Sequence, residues 1–537
     1  MKCLFHKIVK PLLSLLLLVC FLCLETAAYG AITIIPEPNT PPQVLKIVEK
    51  VVAAFNGIVE QRMKVTLSKD IKIFVCPNLQ SYRRVLQEEF DYSPAEAVSH
   101  SEMTGGVARD ERNLIALNFG EVIFDQESSA YYVTAHELAH QLQFQLASGK
   151  ENRGLYWLAE GSADYIAAQI AEDVGFMEVA DWKIEQYYGV RHAKNIVSPS
   201  ELSDVTHYGW EKLMKSDRHP YTVAGLMTCF LMKIAPRTGL NAIAQYYQRL
   251  TMLETADMNF EQSFGMSYPD FEERVRGWFE NLYIPSHQIK FDSKGNFDAI
   301  SGIDEGFNRS QGFFKEHFGE VIRSEQEILF APDRRSFLKM LQGEMRLGRL
   351  QAEMVSKTNA WWLHGKKALI YLETIPDCAS KVYHGSLIAV RRFQNQQVSA
   401  GDSLAKSVWL REGMADAIAA MVTEDAEAAA GGSFRKRWLK NLQGCKIKSE
   451  LTLTELLSQE GWDRAVDQYG ITQVKAYAAV AVSELMAKQG VHRLGEWLAT
   501  TKSIKDPESA FGKVFGETVA EYSEEFKGNL AEQLKNY

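Results

Sequence analysis

The stretch from Tyr131 to Gln145, YYVTAHELAHQLQFQ, has a pattern compatible with one uninterrupted helix and contains HExxH between His136 and His140. Residues four apart lie on the same helical face, so both imidazoles can reach one metal ion. Glu137 lies beside them and can act on a water molecule held by that ion. The spacing therefore predicts His136 and His140 as metal ligands and Glu137 as a general base.

A third ligand follows on a second predicted helix. Glu160 comes twenty residues after His140, within WLAEGSADY, and a helix, a turn and a returning helix would bring it to the imidazoles. Asp164 lies one helical turn after Glu160 and can accept a hydrogen bond from a ligating imidazole, although it could equally be a solvated or capping carboxylate. The sequence predicts one Zn²⁺ per chain, held by His136, His140 and Glu160.

HELAH followed by WLAEGSADY resembles the gluzincin clan of zinc metallopeptidases, in particular its peptidase-MA-like members. The resemblance covers the first half of the chain. It implies an α+β zincin-like fold and hydrolysis of peptide bonds with Glu137 as base. In the aminopeptidase branch a tyrosine about sixty residues past the glutamate ligand donates to the oxyanion, and by this resemblance Tyr221 takes that role.

The chain departs from the aminopeptidases before the metal helix. Their Gly-Ala-Met-Glu-Asn stretch is missing, and Met103 to Val107 reads MTGGV in that region. By resemblance, this stretch and the strand after it would present backbone groups to an extended peptide. We therefore expect an endopeptidase.

The chain also repeats itself. Phe74–Gln87, FVCPNLQSYRRVLQ, is similar to Leu329–Gln342, LFAPDRRSFLKMLQ. Trp157–Ala171, WLAEGSADYIAAQIA, is similar to Trp409–Thr423, WLREGMADAIAAMVT. A repeat of this length predicts one structural unit that occurs twice.

Each unit is predicted to be a strand-containing region followed by helices, which gives an α+β fold of two tandem zincin-like units. Strands are expected at Ile71–Cys76, Leu114–Phe119, Ile328–Ala331 and Ala368–Glu373. Residues 31–288 would form the peptidase unit, residues 289–312 a linker with turn chemistry, and residues 313–537 a degenerate copy.

The second copy is predicted to lack the metal. With the spacing of the first unit, Ile388 replaces His136, Arg392 replaces His140, and Tyr477 is the counterpart of Tyr221, while Glu412 is retained. One carboxylate does not hold zinc at useful affinity without other ligands. We expect an Arg392–Glu412 pair in place of the metal.

Residues 1–30 have the features of a signal peptide, because three lysines precede the apolar run from Leu12 to Leu24. They predict a secreted or periplasmic protein; a retained N-terminal membrane anchor is less favoured, since the run is short for a spanning helix. No later stretch could span a membrane. Removing the leader takes away three lysines and one glutamate, so the formal charge of −9 becomes −11, which argues against a nucleic acid partner.

Four cysteines remain after the leader, and their pairing is open: Cys76, Cys229, Cys378 and Cys445. The expected partner is a protein or peptide substrate. The alternative to a peptidase is a non-catalytic peptide- or envelope-binding protein built on a metallopeptidase fold. The retained Glu137 favours the peptidase, because a purely structural metal site needs no base.

Overall fold

The computed structural model describes residues 30–535 except for residues 111, 121–126, 253–254, 283–288, 292–294, 324, 359–360, 365, 398–406 and 505. The predicted signal peptide therefore lies outside the described residues, apart from Gly30. The fold is rich in helix with two small mixed sheets, which confirms the α+β class.

The first sheet has four strands: β1 (Ile32–Pro36), β2 (Ile71–Cys76), β3 (Gly106–Arg109) and β4 (Leu114–Asn118). Their order is β1-β2-β4-β3; the first three in that order are parallel, and β3 runs antiparallel to β4 at one edge. The buried strand β4 is apolar apart from Asn118, as expected of an inner strand covered on both faces.

The helices from the start of the chain to residue 282 are α1 (Pro42–Ile58), α2 (Leu79–Glu88), α3 (Pro94–Met103), α4 (Glu127–Ala147), α5 (Tyr156–Asp173), α6 (Val179–His192), α7 (Pro199–Ser203), α8 (His207–Lys215), α9 (Pro220–Ile234), α10 (Leu240–Arg249), α11 (Ala256–Phe264) and α12 (Tyr268–Leu282). A π-helical segment, Val59–Met63, follows α1 directly, and a 3-10 turn, Glu151–Arg153, precedes α5.

The second sheet repeats the first. Its strands are β5 (Ile289–Phe291), β6 (Gln326–Ala331), β7 (Trp361–His364) and β8 (Lys367–Tyr371). Their order is β5-β6-β8-β7, again with three parallel strands and one antiparallel edge strand.

The remaining helices are α13 (Phe297–Phe318), α14 (Arg334–Gly343), α15 (Arg349–Thr358), α16 (Cys378–Gln397), α17 (Val408–Asp425), α18 (Ser433–Leu442), α19 (Ile447–Glu450), α20 (Gln459–Tyr469), α21 (Ile471–Gln489), α22 (His492–Thr501), α23 (Pro507–Phe515) and α24 (Val519–Gln533). Two 3-10 turns, Leu372–Thr374 and Glu455–Leu457, lie among them.

Local sequence explains why the repeated motifs form the same elements. Asn78 caps α2 and Asp333 caps α14, each accepting a hydrogen bond from the serine amide three residues on. Trp157 in α5 and Trp409 in α17 are both fully buried. The two halves thus share strand order, caps and core positions.

The chain divides into two compact units. The first contains the residues up to Val179 and Asn195–Gly277; the second contains Ala180–Lys194 and the residues from Trp278 onward. The division therefore differs from the predicted boundary, and most of α6 belongs to the second unit.

Residues 289–312 are not a linker. They contain β5 and most of α13, and Ile303 and Phe307 of α13 belong to the second unit's core. Gly302 and Gly306, two of the glycines that suggested turns, lie inside α13, which packs against α16: a Cβ atom on Gly306 would lie 1.9 Å from the carbonyl oxygen of Val382.

The four predicted strands are present as β2, β4, β6 and β8, and the predicted strand ends differ from the observed ones by at most two residues. The sequence did not reveal β1, β3 or β5, which have only three to five residues each. Strands this short carry too little alternation to be recognised without their neighbours.

Two further points concern membrane spans and the pairing of the cysteines. Among the described residues, none of the helices combines the length and hydrophobicity needed to cross a bilayer. All four cysteines left open by the sequence are free thiols.

Candidate metal centre

Two adjacent helices bring the predicted ligands together. α4 carries His136, Glu137 and His140, and α5 returns against it with Glu160 and Asp164. His136 is 9% exposed and Glu160 6% exposed, so the group lies in the interior with limited access to solvent. The structure thus places all three predicted ligands in one cluster.

The ligand atoms converge on one point. The two Nε2 atoms of His136 and His140 are 2.9 Å apart, and Oε2 of Glu160 lies 3.5 and 3.4 Å from them. Among the described residues, this buried Oε2 has no hydrogen-bond partner. A buried carboxylate oxygen without a donor is costly, and two imidazoles and one carboxylate are a ligand set of catalytic zinc sites. The cluster can bind a metal ion.

The neighbours of His136 leave Nε2 free for a metal. Its Nδ1 lies 2.8 Å from Oδ1 of Asp164. Because an ionised carboxylate only accepts hydrogen bonds, Nδ1 carries the proton and Nε2 presents its lone pair. This contact is the one predicted for Asp164.

His140 is oriented by a residue that the sequence analysis did not single out. Its Nδ1 lies 2.9 Å from Oε1 of Gln143. The amide nitrogen of Gln143 donates to the carbonyl of Ala159 at 2.9 Å and to Oγ of Ser162 at 3.1 Å. These two contacts fix the orientation of the Gln143 amide, so the atom that faces His140 is its oxygen, which accepts a hydrogen bond. His140 must therefore donate from Nδ1, and its Nε2 is free as well. A polar residue three positions after the histidine on the same helix was the available signal.

The charges of the cluster stabilise one another. Burial disfavours the ionised carboxylate of Glu160, but the two histidines outweigh this effect and lower its pKa. Burial also opposes protonation of His136, yet the nearby carboxylates of Asp164 and Glu160 raise its pKa, so a proton and a metal ion compete for Nε2. The pKa of Glu137 is raised, chiefly by burial. The lowered pKa of Glu160 keeps its carboxylate ionised beside the two imidazoles.

The base Glu137 lies under the edge strand β3. A Cβ atom on Gly106 would lie 2.8 Å from Cγ of Glu137, so only glycine allows the strand to approach this closely. Gln141 of the same helix donates to the carbonyls of Arg109 and Leu114, both at 2.9 Å, and ties the β3–β4 hairpin to α4. The region MTGGV thus begins an edge strand beside the predicted base.

Tyr221 lies at the site on α9. Its ring centroid is 5.9 Å from that of His136, and it packs edge-on against Trp210 at 5.1 Å. Tyr156, which the sequence analysis did not consider, packs against the same tryptophan at 5.4 Å. Burial and the adjacent Glu160 carboxylate raise the pKa of Tyr156. Both phenols therefore remain protonated donors near the ligands at neutral pH.

In the second unit, the residues of α16 that correspond to the predicted metal ligands lie one position earlier than the sequence predicted. Gln394 donates to the carbonyl of Arg411 at 2.9 Å, as Gln143 does to that of Ala159 in the first unit. This equivalence places Arg391 at the position of His140, Leu387 at that of His136, and Ile388 at that of Glu137. The prediction that Arg392 replaces His140 was wrong, because the segment between the two helices differs in length by one residue.

Glu412 is nevertheless paired with an arginine. The guanidinium of Arg391 donates to Oε2 of Glu412, and Arg411 donates to Oε1 at 3.1 and 3.0 Å. Arg391 also donates to Oε1 of Gln394 at 3.2 Å, which repeats the contact of His140 with Gln143. An ion pair thus lies where the first unit has its metal cluster, but the partner is Arg391.

Tyr477 is not the counterpart of Tyr221. Its hydroxyl donates to the carbonyl of Leu451 in the core.

The counterpart of Tyr221 follows from a contact that both units make. A Cβ atom on Gly161 would lie 2.2 Å from the carbonyl oxygen of Ala224, and one on the equivalent Gly413 would lie 2.3 Å from that of Ala478, so Ala224 and Ala478 occupy equivalent positions. Tyr221 lies three residues before Ala224, and the residue three positions before Ala478 is Lys475.

Comparisons of the chain with protein-family models, with curated proteins and with solved structures find no match.

Proposed function

We propose that the first unit is a zinc-dependent peptidase of the gluzincin type, secreted or periplasmic, and that it cleaves protein or peptide substrates as an endopeptidase. The observation that carries this proposal is the buried, unpartnered Oε2 of Glu160, which faces the Nε2 atoms of His136 and His140. A divalent ion at this point would supply Lewis-acid polarisation of a carbonyl and acidification of a water molecule.

The ligands leave Glu137 free for proton transfer. It is one residue from His136 on the same helix and 7% exposed. A carboxylate in that position can take a proton from water and return it to the departing amine. A site that served structure alone would have no use for a buried carboxylate at this place.

Two elements favour an extended peptide as the substrate. The edge strand β3 runs antiparallel to β4 and lies against the base through Gly106, so a peptide that pairs with β3 would run beside the metal cluster. Tyr221 would then donate to the oxyanion that develops at the scissile carbonyl. The endopeptidase assignment rests on this open strand edge.

The test is metal content together with cleavage of casein, an unstructured protein, by the mature chain. Glu137→Gln should keep one equivalent of zinc and lose at least about 100-fold in kcat, because a general base contributes about 10²–10⁴-fold. Tyr221→Phe should also keep zinc and lower kcat by about 100-fold. Glu88→Gln, an exposed carboxylate on α2, is the matched control and should change neither quantity.

Retained turnover in Glu137→Gln would contradict the proposal. One zinc per chain without cleavage of casein or of a peptide library would favour a non-catalytic peptide- or envelope-binding protein. Absence of bound metal in the folded chain would exclude both the peptidase and the metal-containing binding protein.

A further inference from the structure

The second unit has two cationic side chains where the first has its metal cluster and its phenol. Arg391 takes the position of His140, and Lys475 takes that of Tyr221, as the contacts of Gln394 and Gly413 show. In the function proposed for the first unit, the corresponding groups, His140 and Tyr221, would flank the oxyanion. The same place in the second unit therefore lies between two positive charges.

The position of the base carries no proton-transfer group in the second unit. Ile388 replaces Glu137, and Leu387 replaces His136, so neither a carboxylate nor an imidazole remains at these positions of α16. A ligand bound there would not meet the acid–base chemistry proposed for the first unit.

The charge of this cluster is positive. Arg391, Arg411 and Lys475 outnumber Glu412 and Asp416, and the Asp416 carboxylate already accepts a hydrogen bond from the Tyr383 hydroxyl. Both oxygens of Glu412 are taken by the two arginines. Within the part of the chain that the structure describes, the Lys475 ammonium makes no hydrogen bond or ion pair.

The three cations of the cluster are partly exposed. The side chain of Arg391 is 15% exposed and that of Arg411 27% exposed, and Lys475 is half-buried. Partly buried cations interact with an anion more strongly than fully solvated ones, because the local dielectric is lower. The Lys475 ammonium is a point charge suited to a carboxylate, and Arg391, which is paired with Glu412, adds a second positive charge to the cluster.

We propose that the second unit binds a carboxylate through Lys475 and Arg391, and that the ligand is the free C-terminal carboxylate of a peptide. A peptide end is favoured over a free inorganic anion because the carboxylate takes the place of a peptide oxyanion on a scaffold that repeats the first unit. Taking the ligand to be a peptide rests on the function proposed for the first unit, whereas the positive charge of the cluster does not.

The experiment uses the full mature chain with Glu137→Gln, so that the probe stays intact. Lysine acylation is followed by mass spectrometry while N-acetyl-Ala-Ala with a free carboxylate is titrated in. We expect saturable protection of Lys475, no protection by N-acetyl-Ala-Ala-amide, and no change at Lys436, an exposed lysine on α18.

Calorimetry on Lys475→Met supplies the second measurement, with Lys436→Met as the control. We expect the affinity for the peptide acid to fall at least tenfold in Lys475→Met alone, with an unchanged midpoint of thermal unfolding. Equal protection by acid and amide, protection by inorganic phosphate only, or an affinity that Lys475→Met leaves unchanged would each overturn the proposal.

Discussion

The guanidinium of Arg391 donates to the carboxylate of Glu412, where the first unit places His140 beside Glu160. The carboxylate is the same in both units, and its cationic partner differs. In one unit a buried carboxylate oxygen is left without a partner, and in the other the chain itself supplies the positive charge. This difference predicts the metal stoichiometry.

The native chain should bind one zinc, and the double variant Leu387→His, Arg391→His should bind two. The two new imidazoles lie one helical turn apart on α16 and face Glu412, which restores the ligand set. Metal content after dialysis, measured by inductively coupled plasma mass spectrometry, gives the count. Two tightly bound zincs in the native chain, or one in a folded double variant, would contradict this interpretation.

Gln143→Leu should weaken metal binding about 10–100-fold, because the contact that sets the tautomer of His140 is lost. The measurement is competition for zinc against a chelator of known affinity. Gln80→Leu, at an exposed position of α2, is the control and should leave the affinity unchanged. An unaltered affinity in Gln143→Leu would show that His140 needs no second partner.

Gly161→Ala should destabilise the first unit by about 1–3 kcal/mol, because its Cβ atom would lie 2.2 Å from the carbonyl oxygen of Ala224. α5 carries Glu160 and α9 carries Tyr221, so activity should fall as well. Urea unfolding followed by tryptophan fluorescence gives the change. Gly57→Ala in α1, where a Cβ atom meets nothing within 4 Å, should be neutral or stabilising by about 0.5–1 kcal/mol.

Glu185 in α6 should make the second unit less stable as the pH rises. Burial, and then Asp298 and Asp181, raise its pKa from 4.5 to about 7, although Lys381 lowers it. The folded state therefore retains a proton that the unfolded chain releases, and stability falls as the pH rises through this window.

Glu185→Gln should accordingly be more stable than the native chain at pH 8, by on the order of 1 kcal/mol, and similar to it at pH 4. Thermal unfolding at the two pH values measures the difference. Glu316→Gln, an exposed carboxylate on α13, should show no such pH dependence. A constant difference between Glu185→Gln and the native chain across this range would refute the assignment.

The metal cluster was predictable because its parts are local. His136, Glu137 and His140 are fixed on one face by the helical period, and Glu160 and Asp164 follow on a second helix in the same way. The sequence also showed the repeat, from which the common strand order of the two sheets follows. The zincin-like assignment, zinc itself and the peptidase activity stay predictions.

The contacts made across elements were not predictable. Gln143 was missed because its role depends on the carbonyl of Ala159 and on Ser162, both on the next helix. The position of Arg391 was misassigned because sequence similarity is weak in α16, and one residue of difference turns a helix by about 100°. The linker predicted at residues 289–312 was wrong because glycines can indicate turns, whereas Gly302 and Gly306 allow a helix to approach its neighbour closely.

The sequence by itself determined which residue types recur at helical spacing, and hence the candidate ligand set, because helical periodicity depends only on the backbone. It also determined the duplication, because the same motifs recur in the second half of the chain. Only the tertiary structure decided which polar groups meet between helices, because those contacts depend on loop lengths and on packing. Packing leaves Oε2 of Glu160 without a partner in one unit and brings Arg391 to Glu412 in the other.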